Sequence, residues 1–456
     1  MKTLLRSHRL GLFLGAGIIS GTLLLTSCTV DKLLEVKDPD TVNPGTLDDP
    51  EVLYVVVNGA LGDFAVAYDG NGLGDAFLAS TAAMSDEVFS SGTFATRTAT
   101  DRRNQQPPAD GNTSDGAYNN LQSARRSLKD AATKVADFEG KSDERYGELK
   151  SLEAYTYIAL GEGYCSAIPI SDIVEGEWVY GEPQTVDEIW TDAVDIFDEA
   201  LANGGGNLAA VGKGRALLNL AQYAAAASAV AGVPTTFNYF LHHSESGAQN
   251  PFYSLQGNGR YSLSDYEGGN GLPFRSANDP RVPWIRDPGQ PDGFDASYPL
   301  YKIKKYNSFG ASVVLASGVE ARLIEAEAAL QGGQIDTWLA KLNELRASVS
   351  TIMNAQVEGY PVLTPTLDPL TDPGSADARR NLMFYERAFW MFGTGHRLGD
   401  LRRLVKSYGL SQNAVYPTGD YHKGGPFGTD VVFPVDFDEG NNPNFDATKC
   451  VVGNAG

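Results

Sequence analysis

The chain has 456 residues, with 57 Asp and Glu against 36 Lys and Arg, giving a formal net charge of −21. So acidic a surface argues against DNA, RNA and anionic lipid as partners, because each requires clustered Lys and Arg. The length exceeds one typical core and calls for two lobes or one large helical body.

The first 27 residues do not read as fold. Lys2, Arg6 and Arg9 make a basic start, and an apolar run follows from Leu10 to Leu25. That run is short for a membrane span, which needs about 20 residues. It closes on Leu25-Thr26-Ser27-Cys28, which fits a bacterial lipobox. Residues 1–27 are thus expected to be a lipoprotein signal peptide, with Cys28 the lipid-attachment residue. The alternative is an ordinary signal peptide cut nearby. Several buried acyl chains make a durable anchor, since each CH2 contributes about 0.8 kcal/mol. Without the leader the chain stands at −24. No later stretch reads as long and apolar enough to cross a bilayer, so the body is expected to be tethered rather than embedded. Cys165 and Cys450 remain; an oxidising compartment allows them one disulfide, and two free thiols are the alternative.

Residues 28–48 read as an extended tether, and residues 49–456 as a single body. From Asp49, the spacing of Leu53, Val56, Val57, Ala60, Leu61 and Phe64 predicts a helix with one buried face. Residues 90–116 read as a polar Gly/Thr/Asn-rich segment. Helical pairs then fill about 117–231: Ala117–Phe138 with Asp143–Tyr164, and Thr185–Leu201 with Gly214–Ala231. Thr185 and Glu188 form a capping box. A second set spans about 317–392, opening with a capping box at Ser317 and Glu320, continuing through Asp336–Val349, and ending in a helix over about Ser375 to Phe392. Pairs of this length predict tetratricopeptide-like stacking, although the strict 34-residue consensus is absent and an ordinary bundle fits the pattern equally.

Between the helical blocks, residues 232–316 hold 14 aromatics in 85 residues, well above the 10% of the whole chain. A loop region dense in rings and short polar side chains suits stacking on flat ligand faces. The competing expectation is that most of these rings pack into a second core. The candidate ligand-binding residues are Trp284, Tyr266, Tyr253, Tyr298 and Tyr301, with Phe94 from the earlier loop.

Several segments, in order, resemble the SusD/RagB family of outer-membrane nutrient-binding lipoproteins. They are the lipobox, Asn43-Pro44, Val57-Asn58-Gly59-Ala60, and the helix Glu148 to Tyr157 followed by Gly163-Tyr164 and Ile168-Pro169-Ile170. Cys165-Ser166-Ala167 interrupt the family's Gly-Asp-Val-Pro-like turn. Lys213 to Leu218, Ala321 to Ala328 and Leu342 to Arg346 resemble successive helices of the family. The most specific match runs from Arg379 to Phe389 and on through Gly395-His396-Arg397-Leu398-Gly399-Asp400-Leu401-Arg402-Arg403, where Thr394 replaces the usual acid. Phe433-Pro434-Val435 and Asn442-Pro443-Asn444 resemble the family's closing motifs.

The resemblance implies a mostly α fold: a tetratricopeptide-like helical scaffold with an irregular, loop-rich ligand-binding half. It implies an outer-membrane, lipid-anchored protein facing the cell exterior, with a TonB-dependent (SusC-like) outer-membrane transporter as partner. The ligand would be an oligosaccharide or a peptide, and neither cofactor nor metal is implied. In the family the His396–Asp400 run is a scaffold, so these residues are not read as an acid/base pair. No zinc motif, nucleophile elbow or phosphate loop is present, and no catalytic residue is assigned. Asp436 to Asn441 only faintly matches a calcium loop, with its glycine one place early. A surface hydrolase of glycans or peptides and a tetratricopeptide-like envelope adaptor are the alternative functions.

Overall fold

The computed structural model describes residues 49–105, 113–174, 176–286, 289, 292–362 and 364–456. The expected signal peptide (residues 1–27), Cys28 and the expected tether (28–48) lie outside the described residues. Asp48–Gly456 forms one compact unit.

The described residues begin with α1 (Leu53–Tyr68), α2 (Phe77–Met84), a short β1 (Val88–Ser90) and α3 (Ala95–Asp101). The segment read as polar loop therefore contains a helix; Arg97, Thr100 and Asp101 are buried in it. The long α4 (Thr113–Phe138) and α5 (Glu144–Gly163) follow. Leu121, Leu128, Leu149 and Leu160 on these two helices are all buried. Together with the turn before it, α1 spans Pro50–Tyr68 and is long and apolar enough to cross a membrane by length and composition. This corrects the expectation that no such stretch follows the leader. The helix packs on α4, burying Val57, Ala60 and Phe64.

Two short strand pairs interrupt the helices. β2 (Ile168–Pro169) pairs with β5 (Pro183–Gln184), and β3 (Asp172–Val174) folds back on β4 (Glu177–Val179) as a hairpin. Then comes α6 (Val186–Ala202), where both bonds of the Thr185–Glu188 capping box are made. Leu201, near the helix end, lies on the solvent side.

The helix predicted over Gly214–Ala231 is two helices, α7 (Gly206–Asn219) and α8 (Tyr223–Val230). The break falls at Ala221, whose φ of 57° no helix interior accommodates. α5, α6 and α7 approach very closely: a Cβ on Gly161 would lie 2.3 Å from the Trp190 indole nitrogen, and one on Gly212 only 2.1 Å from the Phe197 ring.

The loop-rich region is an excursion from this helical stack. It starts with β6 (Asn238–Leu241) and continues through α9 (Pro251–Gly257), β7 (Tyr261–Leu263), β8 (Trp284–Ile285) and β9 (Lys302–Ile303). It returns on β10 (Val313–Ser317), which pairs antiparallel with β6 from Leu241↔Val313 to Asn238↔Ser317. This pairing ties the two ends of the excursion together. Inside it, β8 pairs with β9, and β7 pairs back to β1.

The chain then resumes helical packing through α10 (Gly318–Gln331), α11 (Ile335–Ala347), α12 (Val349–Gln356), α13 (Ala376–Trp390), α14 (Arg397–Lys406) and α15 (Gln412–Val415). α10 packs on both α8 and α11. Only half of the second capping box forms. Ser317 accepts from the Glu320 amide, but the Glu320 carboxylate turns inward to lie 3.1 Å from His396. A Cys165–Cys450 disulfide, with Cα atoms 5.1 Å apart, fixes the C-terminal segment to the end of α5.

Candidate ligand-binding face

His396 and Asp400 belong to a sealed ionic seam. Asp400 takes two hydrogen bonds from Arg387, at 3.0 and 2.9 Å, and one from Arg403 at 2.9 Å. Burial alone would raise its pKa, but the two guanidiniums outweigh burial and hold the carboxyl far below its ordinary value. Arg403 also reaches Glu327 at 2.9 Å, and Arg215 binds Glu162 through two nitrogens and lies 2.9 Å from the His396 ring. His396 is 2% exposed and Asp400 1%. No substrate reaches either group, so their chemistry serves to join α5, α7, α10, α13 and α14. Asp436 is likewise structural, capping the turn Phe437–Asn441 and accepting from Asn119 at 2.9 Å. Among the described residues, no group of three or more His, Cys, Asp or Glu is placed to hold a metal ion.

The six candidate rings lie in different settings. Trp284 on β8 is half-buried; its indole N–H donates to the Arg275 carbonyl at 3.0 Å, and its ring meets Tyr301 edge-on at 5.5 Å. The Arg275 guanidinium covers the Tyr301 ring at 3.8 Å. Tyr253 of α9 packs edge-on against Phe309 at 4.9 Å. These two rings line a cleft of about 240 Å³ with Gln256, Asn258, Lys302 and Lys304. Trp284, Tyr301 and the Tyr253 cleft are thus gathered about one short strand.

Tyr298 is committed to the loops: its hydroxyl donates to the His422 carbonyl, and its ring packs on Phe89 and on the His422 imidazole. Tyr266 stands apart, 55% exposed on a residue with φ of 55°. Phe94, 49% exposed, lies within 4.8 Å of the Arg97 guanidinium and 4.7 Å of that of Arg260.

Five exposed rings among the described residues were not chosen as candidates: Tyr54, Trp178, Tyr180, Phe294 and Phe437. Phe294 is 55% exposed at the tip of the turn Asp292-Gly293-Phe294-Asp295, with Arg260 3.6 Å from its ring centre. Trp178, 64% exposed, stands on the β3–β4 hairpin outside the loop-rich region. A ring inside a Gly/Asp turn was the signal for Phe294, since such turns run over the surface and leave their side chains outside.

Behind this face lies a group of buried acids. Asp101 accepts from the Ser90 amide at 2.7 Å and from the Tyr421 hydroxyl at 2.7 Å. Burial, reinforced by the nearby Glu267 charge, pushes its pKa up to about 7. Glu87 accepts from the Gly393 amide at 2.8 Å, and burial pushes it up to about 8. These acids organise the joints between β1, the Tyr421 loop and α14, not the exposed rings.

No family model matches the sequence, and no curated protein does. Solved structures do resemble the fold. A SusD superfamily protein from Parabacteroides distasonis superposes with a TM-score of 0.64 at 13% identity, covering 87% of this chain and 98% of that one. A SusD/RagB family protein from Bacteroides thetaiotaomicron gives 0.59 at 15% identity, over 87% and 96%. A SusD-like carbohydrate binding protein from Bacteroides vulgatus gives 0.56 at 17% identity, over 77% and 82%. The class defined by this architecture is a helical scaffold carrying a tied-off, loop-built face. More particularly, the chain has the SusD/RagB fold.

Proposed function

We propose that this chain is a surface lipoprotein that captures an oligosaccharide and delivers it to a TonB-dependent outer-membrane transporter. The observation that carries the reading is the gathering of Trp284, Tyr301 and Tyr253 about β9, beside amide and ammonium side chains. A sugar ring offers one apolar C–H face and a rim of hydroxyls. Partly exposed rings satisfy the first, and Asn258, Lys302 and Lys304 satisfy the second. The likeness to a SusD-like carbohydrate binding protein supports the same ligand class. The lipobox at Cys28 supports the anchor.

A detergent pull-down of the tagged lipoprotein from its native outer membrane tests the reading. A near-stoichiometric β-barrel transporter among the bound proteins is the expected result. A clean preparation that lacks a barrel and turns over polysaccharide or peptide would overturn it in favour of a surface hydrolase.

A further inference from the structure

Arg260 is a cation built into place and, among the described residues, left without a counter-charge. Its amide donates to the Leu255 carbonyl at 2.8 Å, and its own carbonyl accepts from the Ser91 amide at 3.0 Å. The preceding Gly259 has a φ of 64° and accepts from the Phe294 amide at 2.8 Å. Three chain segments therefore fix this one position. The guanidinium lies 3.6 Å from the centre of the Phe294 ring and 4.7 Å from that of Phe94. Both rings are about half exposed, and Arg260 itself stays partly exposed.

Other arginines of the loop-built face have acids. Arg97 binds Asp75 at 2.5 Å, Arg275 reaches Asp265 at 3.3 Å, and Arg286 reaches Asp292 at 3.2 Å. No carboxylate pairs with Arg260 among the described residues, and its Nη1, shut from solvent, has no hydrogen-bond partner. A covered N–H without an acceptor is costly, and cation–ring contact at an exposed site offsets only part of that cost. An anion arriving from solvent would meet the guanidinium's other N–H groups, a fork matched to carboxylate or sulfate oxygens, and supply the missing counter-charge.

Charge distribution points the same way. Residues 250–309 hold seven Lys and Arg against six Asp and Glu, net +1 in a chain of −21. Lys302 and Lys304, at the Tyr253 cleft, also lack an ion-pair partner among the described residues. Long-range repulsion from the acidic body is screened beyond about 8–10 Å at physiological salt, so local contacts decide binding.

Resting on the saccharide-binding reading, we propose that the captured saccharide is acidic: its carboxylate or sulfate groups bind Arg260, while its ring faces stack on Phe94 and Phe294. The probes are penta-galacturonate, the same oligomer fully methyl-esterified, a sulfated galactan hexasaccharide and its desulfated form, titrated calorimetrically into the purified mature protein. At least one acidic probe is expected to bind ten times or more tighter than its neutral counterpart, and to weaken as NaCl is raised to 0.5 M. Whichever acidic probe shows the difference identifies carboxylate or sulfate as the recognised group. Arg260→Gln should abolish the difference, and Phe294→Ala should weaken acidic and neutral forms alike. Neutral probes binding as tightly as acidic ones would overturn the inference and leave the saccharide reading standing. Binding by none of the four would count against both. Comparing acidic with neutral probes needs only the unmodified protein, so it holds even if a variant misfolds.

Discussion

Glu87 shows how burial sets the charge state of a single residue. Its carboxyl is fully enclosed, bonded to the Gly393 amide, with its second oxygen unpartnered. Asp86 beside it is charge-paired with Arg397, and the buried Lys305 lies close enough to oppose the shift only slightly. Burial wins, and the folded pKa of about 8 stands well above the ordinary 4.5. Between those values the folded state holds a proton that the unfolded chain has released. Stability contributed by this group is therefore full below about pH 4.5 and declines as pH rises toward 8. Gln keeps the acceptor for Gly393 and cannot ionise. Glu87→Gln is expected to flatten the fall in urea-unfolding free energy between pH 5 and 8. An unchanged slope would mean that Glu87 is charged in the folded protein.

At the scale of elements, the helical half was largely legible and the ligand face only partly. Apolar periodicity marks α4 and α5 because each lays a full stripe against neighbours, and Thr185-Val186-Asp187-Glu188 marks a start through its own side-chain bonds. The break at Ala221 was not legible, since alanine favours the helix and seldom adopts a left-handed conformation. Nor was the fate of Glu320, whose capping role lost to a buried pairing with a residue 76 positions away. Of the six rings chosen, Trp284 and Tyr301 meet, Tyr253 lines a separate cleft that shares β9, Tyr298 is committed to packing, and Phe294 was missed. Local sequence gives ring density, but which rings face out depends on long-range pairs such as β6 with β10. The same long-range packing gives Gly212 its role. Alanine would favour helix α7 by about 1 kcal/mol in isolation. In the fold its Cβ would sit 2.1 Å from the Phe197 ring, beside Tyr155 at 2.9 Å, and overpacking of this kind costs about 1–3 kcal/mol or more. Crowding wins, so Gly212→Ala should lower the urea midpoint at unchanged m-value.

For the whole molecule, the decisive device is the return of the C-terminal segment to α5. Phe433 donates to the Gly163 carbonyl at 2.7 Å and accepts from the Cys165 amide at 2.9 Å. Arg402, fully enclosed, donates to the carbonyls of Gly161 at 2.6 Å and Tyr164 at 2.8 Å and also to Ala455. One side chain thus satisfies carbonyls at the end of α5 while holding the last residues of the chain. The Cys165–Cys450 bond closes 285 residues into a loop that contains the entire loop-rich region. Chain-entropy reasoning gives a loop of that length a large effect, and measured disulfides generally fall near 2–4 kcal/mol. The double variant Cys165→Ala, Cys450→Ala should therefore be less stable to urea by about that amount. Its m-value should not fall, because the hydrogen bonds of Phe433 and Arg402 keep the segment docked in the folded state. Limited proteolysis separates this outcome from its opposite. Cleavage appearing first within 430–456 would show that the disulfide alone holds the segment, whereas a uniform loss of protection would show that the bond acts through the unfolded chain.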